Sequence, residues 1–278
     1  MSSEKLQEFY DVLTKALSPD ADVRRPAERY LLESENESGF FASLAKIAST
    51  NDANVHWNCR WLAATCGKNA VRRSWRRVRN NRITEDERKL VREILFQMIG
   101  ETRREVRVQI TEWIALIARA DFPEKWPEVL VTLAELLMSD LQANVLRHAM
   151  EVCEAVVEQL ASKRLKKDRL AFENNVPMVL QATLRHFAHH TQILAQNVDH
   201  LMRSEVGEQL SLSMTVLKCC ISILRKLLVF GVGDNIDISL MSDIFKIFTT
   251  NQQMFFAGAT QQSGPVEELS IQIGRAHV

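Results

Sequence analysis

The sequence predicts an all-α fold, and three observations support this prediction. Glycine (9) and proline (6) are scarce among the 278 residues, whereas β-rich folds and phosphate loops use glycine for turns. Apolar residues recur at helical spacing almost throughout. Helices also alternate with short turns, two helices in each unit of about 40 residues, which is the period of HEAT and armadillo repeats. These observations favour a HEAT-repeat, right-handed superhelical solenoid, with a bundle of long helices as the alternative.

Apolar stripes and the breaks between them place the individual helices. The clearest stripes are 55, 59, 62, 63, 66, 70 and 106, 110, 113, 114, 117, whose spacings of one, three and four residues fit one helix face. The full set of predicted helices covers residues 6–17, 22–35, 39–48, 55–70, 84–98, 106–121, 126–137, 145–160, 176–195, 210–230 and 238–248. Residues 196–208 are predicted to form a polar connection, and residues 251–270 to form a loop.

The start of the helix at residue 84 has its own signal. Thr84 and Glu87 are spaced as in a capping box, in which the threonine caps the helix and the glutamate reaches back.

Composition limits the classes of function. The formal net charge is zero, so no overall charge favours nucleic acid or an anionic membrane. The five cysteines form no C-x-x-C motif and no regular framework, which indicates a reducing compartment, the cytosol or the nucleus. The N-terminal segment is amphipathic and acidic, unlike a signal peptide. No apolar stretch approaches the ~20 residues of a membrane helix.

Four short sequence pieces occur in order in the first half of the chain. They are Ala27-Glu28 with Leu31; Arg60-Trp61-Leu62-Ala63-Ala64 followed by Gly67-Lys68-Asn69; Trp75-Arg76-Arg77-Val78; and Ile117-Ala118 followed by Asp121-Phe122-Pro123-Glu124-Lys125-Trp126-Pro127. In order and interval they resemble the N-terminal domain of the importin-β family, most closely the importin-eleven type. One departure is Gly67, which stands where the family has an apolar residue and which lowers helix propensity locally.

The resemblance implies a nuclear transport receptor that shuttles between cytoplasm and nucleus and is not an enzyme. Such receptors bind the GTPase Ran in its GTP form through their N-terminal repeats. They bind cargo proteins farther along the solenoid and phenylalanine-glycine repeats of nucleoporins on the outer face. The resemblance also implies structural roles for the matching residues Ala27, Glu28, Leu31, Leu62, Ala63, Trp75, Asp121, Pro123, Trp126 and Pro127.

Two groups of residues are candidate contacts. Within the resemblance, we expect Arg60, Trp61, Lys68 and Asn69 of the second repeat's inner helix to contact Ran. The basic run from Lys68 to Arg82, with Arg72, Arg73, Arg76, Arg77 and Arg79, is either a solvated helix end or a contact for an acidic partner. A third interpretation is nucleic-acid binding, because Trp75 lies among the arginines.

Other chemistry is weakly represented in the sequence. His186, His189 and His190 share one predicted helix, but no acidic or cysteine ligand lies nearby, so we expect a solvated helix end and no metal site. The sequence has no G-x-S-x-G motif and no P-loop. We therefore expect no cofactor and no catalysis. A generic HEAT-repeat scaffold and a basic nucleic-acid-binding module using Arg72 to Arg82 are the alternatives to a transport receptor.

The predicted domain organisation follows the repeats. Residues 1–125 are the importin-β-like N-terminal domain with repeats one to three, residues 126–250 are further repeats, and residues 251–272 are a loop or incomplete repeat. Receptors of this kind are several times longer, so we expect this chain to hold their first five or six repeats, without the cargo site. Residues 273–278 read Ile-Gly-Arg-Ala-His-Val, the translation of a common sequencing-adapter stretch, and are expected to be non-native.

Overall fold

The computed structural model describes residues 3–52, 55–76, 83–197, 203 and 206–231, and every regular element in these ranges is helical. The α-helices are α1 (Ser3–Ala16), α2 (Ala21–Glu33), α3 (Phe40–Ser49), α4 (Trp57–Ala70), α5 (Glu85–Gln97), α6 (Arg104–Asp121), α7 (Val129–Met138), α8 (Ala143–Ala161), α9 (Lys166–Gln196) and α10 (Glu208–Phe230). A 3-10 turn (Ser34–Asn36) follows α2, and a π-helical turn (Val71–Trp75) follows α4. The helix predicted at 238–248, the loop predicted at 251–270 and the tail at 273–278 lie outside the described residues.

The chain divides into two compact units, Met1–Asp121 and Phe122–Val278. In the first unit, α1 packs on α2, α3 on α4 and α5 on α6; in the second, α7 packs on α8 and α9 on α10. Within each unit the first helices of successive pairs also pack together, as α1 does with α3, α3 with α5 and α7 with α9. The second helices do the same, as in α4 with α6 and α8 with α10. Each pair therefore shares its apolar face with the next pair, which is how repeat arrays build a core.

The cores of both units come from the stripes that the sequence predicts. In α6, Val106, Ile110, Trp113, Ile114 and Ile117 are completely buried. In α8 the buried residues include Ala149, Val152, Val156, Val157 and Leu160. Burying a large apolar side chain contributes about 1.5–3 kcal/mol, so each of these stripes stabilises the unit to which it belongs.

The capping box predicted at the start of α5 is only half formed. The Thr84 Oγ1 accepts a hydrogen bond from the Glu87 amide at 3.1 Å, as expected. The Glu87 carboxylate, however, accepts from the amides of Gly39 at 2.7 Å and Ala42 at 3.2 Å. Gly39 has a positive φ of 86° and supplies no side-chain cap to α3. Glu87 of α5 therefore caps the neighbouring helix α3, since buried amides at a helix start need an acceptor.

The helix predicted at 176–195 is wrong at its start, because α9 begins at Lys166 and has 31 residues. Pro177 lies inside α9 and is exposed. A proline within a helix removes one hydrogen bond, but packing of the buried residues on both sides of Pro177 keeps the helix continuous. Although α9 is long, no helix in the described ranges combines enough length and apolar character to cross a membrane.

Candidate protein-interaction surface

The exposed side of α4 and the turn that follows it carry four of the nine residues predicted to contact a partner. The side of α4 that packs into the first unit is formed by Cys59, Ala63, Ala64, Gly67 and Ala70. Trp61, Lys68 and Arg72 follow one another at intervals of seven and four residues, which places them on one helix face. Trp61 and Lys68 are half-buried, while Asn69 and Arg72 are exposed. We call Trp61, Lys68, Asn69 and Arg72 the α4 surface.

A shallow cavity of about 180 Å³ adjoins the α4 surface between α2 and α4. Its apolar lining includes Leu31, Leu32 and Leu62, and Asn69 belongs both to this lining and to the α4 surface. Leu32 is 57% exposed, which is unusual for a large apolar residue beside a concavity. Leu31 is one of the residues that the sequence pattern singles out, whereas Leu32 is not among the predicted contact residues.

Cys66 also lines this cavity, but it is not a reactive thiol. Two effects raise the pKa of the Cys66 thiol to about 11. The larger effect is burial, and the second is the negative charge of the nearby Glu35 carboxylate. A thiol with such a pKa is almost entirely protonated near neutral pH and is a poor nucleophile.

Arg60 is held by its own chain, away from the other predicted contact residues. Its Nε donates a hydrogen bond to the Ala48 carbonyl at 2.9 Å, and its Nη2 forms an ion pair with Glu101. The Arg60 side chain is only 15% exposed. The guanidinium thus joins α4 to the end of α3 and to the turn before α6.

The basic run after α4 is divided between structural and free cations. Both Glu35 carboxylate oxygens accept from the Arg73 Nε at 3.1 Å. Arg76 donates to the carbonyls of Arg119 and Ala120, both at 2.7 Å, at the C-terminal end of α6. Lys68 and Arg72, in contrast, form no hydrogen bond or ion pair with any residue that the structure describes. Arg77 and Arg79 lie outside the described ranges.

Trp75 is completely buried, so its interpretation as a base-stacking residue is wrong. The indole Nε1 donates to the Asp121 carboxylate at 2.9 Å, and the Arg92 guanidinium donates to the same carboxylate at 2.8 Å. The Arg88 guanidinium lies 5.1 Å from the Trp75 ring centroid. Burial raises the pKa of the Asp121 carboxyl, although the bonds from Trp75 and Arg92 oppose that shift. Two pieces of the sequence pattern, Trp75 and Asp121, thus meet in one buried network.

Six of the eight remaining residues of the sequence pattern are buried or half-buried, and Glu28 and Pro127 are exposed. Ala27, Leu31 and Ala63 are buried, Leu62 is half-buried, and the exposed Glu28 pairs with Arg24 at 3.6 Å. In the second unit, Trp126 is buried, Pro127 is exposed, and Pro123 follows a cis peptide bond.

The three histidines of α9 do not lie at a solvated helix end. His190 is 3% exposed, and its Nδ1 lies 3.0 Å from the Ser213 hydroxyl oxygen. His186 is half-buried, with its Nε2 2.7 Å from the Leu137 carbonyl oxygen. Both rings pack against neighbouring helices because α9 continues through this region. Among the described residues, no group of three or more histidine, cysteine, aspartate or glutamate side chains is placed to hold a metal ion.

Comparison with known proteins places this surface within a known domain. Residues 27–101, which include α4, match the sequence profile of the family described as the Importin-beta N-terminal domain. Importin-11 from Mus musculus is 33% identical over 244 residues, covering 87% of this chain and 24% of the relative. The chain therefore spans about a quarter of that relative's length.

Solved structures give the same assignment. Lph2, described as a bidirectional nuclear transport receptor of S. cerevisiae, aligns with a TM-score of 0.77 and 25% identity over 96% of this chain and 25% of its own. A Kap95:Nup1 complex aligns with a TM-score of 0.65 and 16% identity, over 98% of this chain and 29% of that one. A structure of Kap95p bound to RanGDP aligns with a TM-score of 0.53 and 16% identity, over 99% and 33%. The last two similarities concern the fold alone.

The chain is an all-α protein with the HEAT-repeat solenoid fold, as the sequence predicts. It is a member of the importin-β family, and it is homologous to Importin-11.

Proposed function

We propose that this chain is part of a nuclear transport receptor and that it binds the GTPase Ran in its GTP form through the α4 surface. The observation that carries the proposal is the pair of free cations, Lys68 and Arg72, beside the exposed Leu32 and inside the matched domain of residues 27–101. Unpaired cations around an apolar depression suit a protein partner with an acidic rim and an apolar centre. The binding of RanGDP by Kap95p, a protein of similar fold, supports Ran as that partner.

The other proposed partners rest on the same family membership. Receptors of this class bind cargo proteins and nucleoporins, and the Kap95:Nup1 complex is one example of nucleoporin binding. We propose that the complete protein shuttles between cytoplasm and nucleus and acts by binding, without catalysis.

Binding of the purified 278-residue chain to Ran tests the proposal, with GTP-loaded and GDP-loaded Ran measured side by side. We expect GTP-selective binding that weakens about tenfold or more in the double variant Lys68→Glu/Arg72→Glu, because each reversed charge adds repulsion and slows association. Lys89→Glu is the matched control, since Lys89 is exposed on α5 and has no partner among the described residues.

Three results would contradict the proposal. Equal loss of binding in the Lys89 variant would indicate a general charge effect, not a contact at the α4 surface. Absence of Ran binding by the intact chain would favour a generic HEAT-repeat scaffold, and binding to RNA that falls steeply with salt would favour the nucleic-acid alternative.

A further inference from the structure

A second exposed surface, separate from the α4 surface, lies at the start of α9 in the second unit. Five cations occur in seven residues there, namely Lys163, Arg164, Lys166, Lys167 and Arg169. Leu165 and Leu170 lie within and directly after this run, and they are 61% and 56% exposed. Few large apolar residues in the described ranges are as exposed as these two.

Intramolecular ion pairs neutralise three of these five cations. Lys163 pairs with Asp168 at 3.3 Å, Lys167 pairs with Glu124, and Arg169 pairs with Glu173 at 3.7 Å. Arg164 and Lys166 are both exposed, and neither pairs with any residue that the structure describes. One free cation therefore lies on each side of the exposed Leu165.

The residues around the start of α9 destabilise the first turn of this helix. The amino end of a helix carries partial positive charge, so cations in the last residues before α9 and in its first turn are unfavourable. Leu165 is the N-cap residue and makes no side-chain capping bond, although serine, threonine, aspartate or asparagine would stabilise the helix at that position. Asp168, the acidic residue of the first turn, is buried against Lys163. Residues that weaken the local fold without a packing benefit are typical of a functional surface.

We propose that Arg164, Leu165, Lys166 and Leu170 form a docking surface for an acidic protein segment that carries apolar side chains. The free cations match carboxylates by charge, and the exposed leucines bury apolar side chains of the same segment. Lys166 and Leu170 are one helical turn apart on α9, so one short segment reaches both. We call these four residues the α9 patch.

A protein segment fits the α9 patch better than nucleic acid does. Proteins that bind single-stranded nucleic acid pair cations with aromatic side chains on which the bases stack. The α9 patch has no aromatic residue, and its two leucines would gain nothing from a phosphate backbone. Acidic segments with leucine or phenylalanine, in contrast, satisfy both parts of the surface.

The test measures binding of labelled synthetic probes to the intact 278-residue chain by fluorescence anisotropy. The main probe is a peptide of tandem Asp-Glu-Leu-Leu units, and the comparison probes are a tandem Asp-Glu-Ser-Ser peptide and an oligouridylate RNA. We expect saturable binding of the first probe, and binding about tenfold weaker when serine replaces its leucines. The variants are Arg164→Glu/Lys166→Glu and Leu165→Ser/Leu170→Ser, and each is expected to weaken binding about tenfold.

The controls separate docking from misfolding. Glutamate near the start of a helix is favourable, so Arg164→Glu/Lys166→Glu is expected to fold at least as well as the original chain. Lys89→Glu and Val108→Ser change an exposed cation and an exposed apolar residue elsewhere, and neither should alter probe binding. Ran binding by the α9 variants should also be unchanged, so failure of this proposal is distinguishable from failure of the Ran proposal.

Three results would overturn the docking surface. They are no binding of the Asp-Glu-Leu-Leu peptide, equal binding by the original chain and both α9 variants, and tighter binding of the RNA that displaces the peptide.

Discussion

The indole of Trp113 fills the space that a side chain on Gly67 would need. A Cβ built on Gly67 would lie 2.1 Å from the Trp113 Cη2 atom. Gly67 is in α4 and Trp113 is in α6, the second helices of consecutive pairs, which pack directly on each other. The glycine that departs from the family pattern therefore permits close approach of a large aromatic ring, and this packing offsets its low helix propensity.

Substituting this glycine is expected to destabilise the protein. In an exposed helix, Gly→Ala stabilises by about 1 kcal/mol, but Gly67→Ala should instead cost about 1–3 kcal/mol because the core is overpacked. Urea denaturation measures the change in the free energy of unfolding. The double variant Gly67→Ala/Trp113→Leu should be less destabilised than the sum of the single variants, since the smaller side chain frees the space.

Gly207→Ala is the matched control for that experiment. No atom lies within 4 Å of a Cβ built on Gly207, which precedes α10. We expect a cost of only about 0.5–1 kcal/mol there, because Gly207 is the N-cap residue of α10 and alanine is a poorer N-cap than glycine. A stabilised Gly67→Ala variant would show that the Trp113 ring moves freely and that the packing explanation is wrong.

Removing the Glu87 carboxylate should affect α3 more than α5. Glu87→Ala leaves the buried Ala42 amide and the Gly39 amide without their acceptor, at a cost of about 1–3 kcal/mol. Thr84→Ala removes only the cap of α5 and should cost about 1 kcal/mol. Hydrogen exchange locates the change: faster exchange in the first turn of α3 is expected for Glu87→Ala alone. Faster exchange confined to α5 would contradict the cross-helix cap.

Arg60 should behave as a structural residue in stability measurements. Glu101→Gln or Arg60→Ala leaves a largely buried partner unpaired, and each should cost about 3 kcal/mol. A double-mutant cycle measured by urea denaturation should give a coupling energy of about 1 kcal/mol or more. If Arg60→Ala leaves stability unchanged but weakens Ran binding, then its role is contact with Ran and the ion pair is incidental.

Because His190 is buried, we expect the folded protein to lose stability in mild acid. Burial and the neighbouring His189 and His186 together lower the pKa of His190 from its ordinary value of 6.5 to about 4, and burial is the largest of these causes. The unfolded chain therefore takes up a proton as pH falls below 6.5, while the folded protein does not. The free energy of unfolding therefore decreases as the pH falls from about 6.5 to about 4. Near pH 5 it is lower by about 2 kcal/mol than at neutral pH.

The variant His190→Asn should remove this dependence. An asparagine Nδ2 can donate to the Ser213 hydroxyl in place of the imidazole Nδ1, but it does not titrate. Urea denaturation at pH 7 and pH 5 should give a smaller difference for His190→Asn than for the original chain. The exposed His189 provides the control, and His189→Asn should retain most of the original difference, because burial is the largest cause of the lowered His190 pKa. An unchanged difference in His190→Asn would assign the acid sensitivity to other groups.

The sequence by itself determined the helical repeat architecture, because the 3.6-residue period of apolar side chains is a local property. It located the stripes of α4 and α6 and the sequence pieces that contain Trp75 and Asp121, but not the hydrogen bond that joins these two side chains across 46 residues. It did not predict the continuity of α9 through Pro177, because packing on neighbouring helices outweighs the lost hydrogen bond. Periodicity shows which face of a helix is buried, but not which side chains that face will contact.

Only the tertiary structure decided which predicted contact residues remain available to a partner. Arg60, Arg73 and Arg76 resemble Lys68 and Arg72 in sequence, yet the first three bind Glu101, Glu35 and the carbonyls at the end of α6. These partners lie about 40 residues away, in turns beside other helices or at a helix end, where helix stacking sets the distances. Because of the same stacking, the Glu87 carboxylate accepts hydrogen bonds from α3 and not from its own helix, and the Trp113 ring packs against Gly67. The spacing of apolar residues along the chain thus determined where the helices form, whereas contacts between helices determined whether each side chain is buried, paired or free.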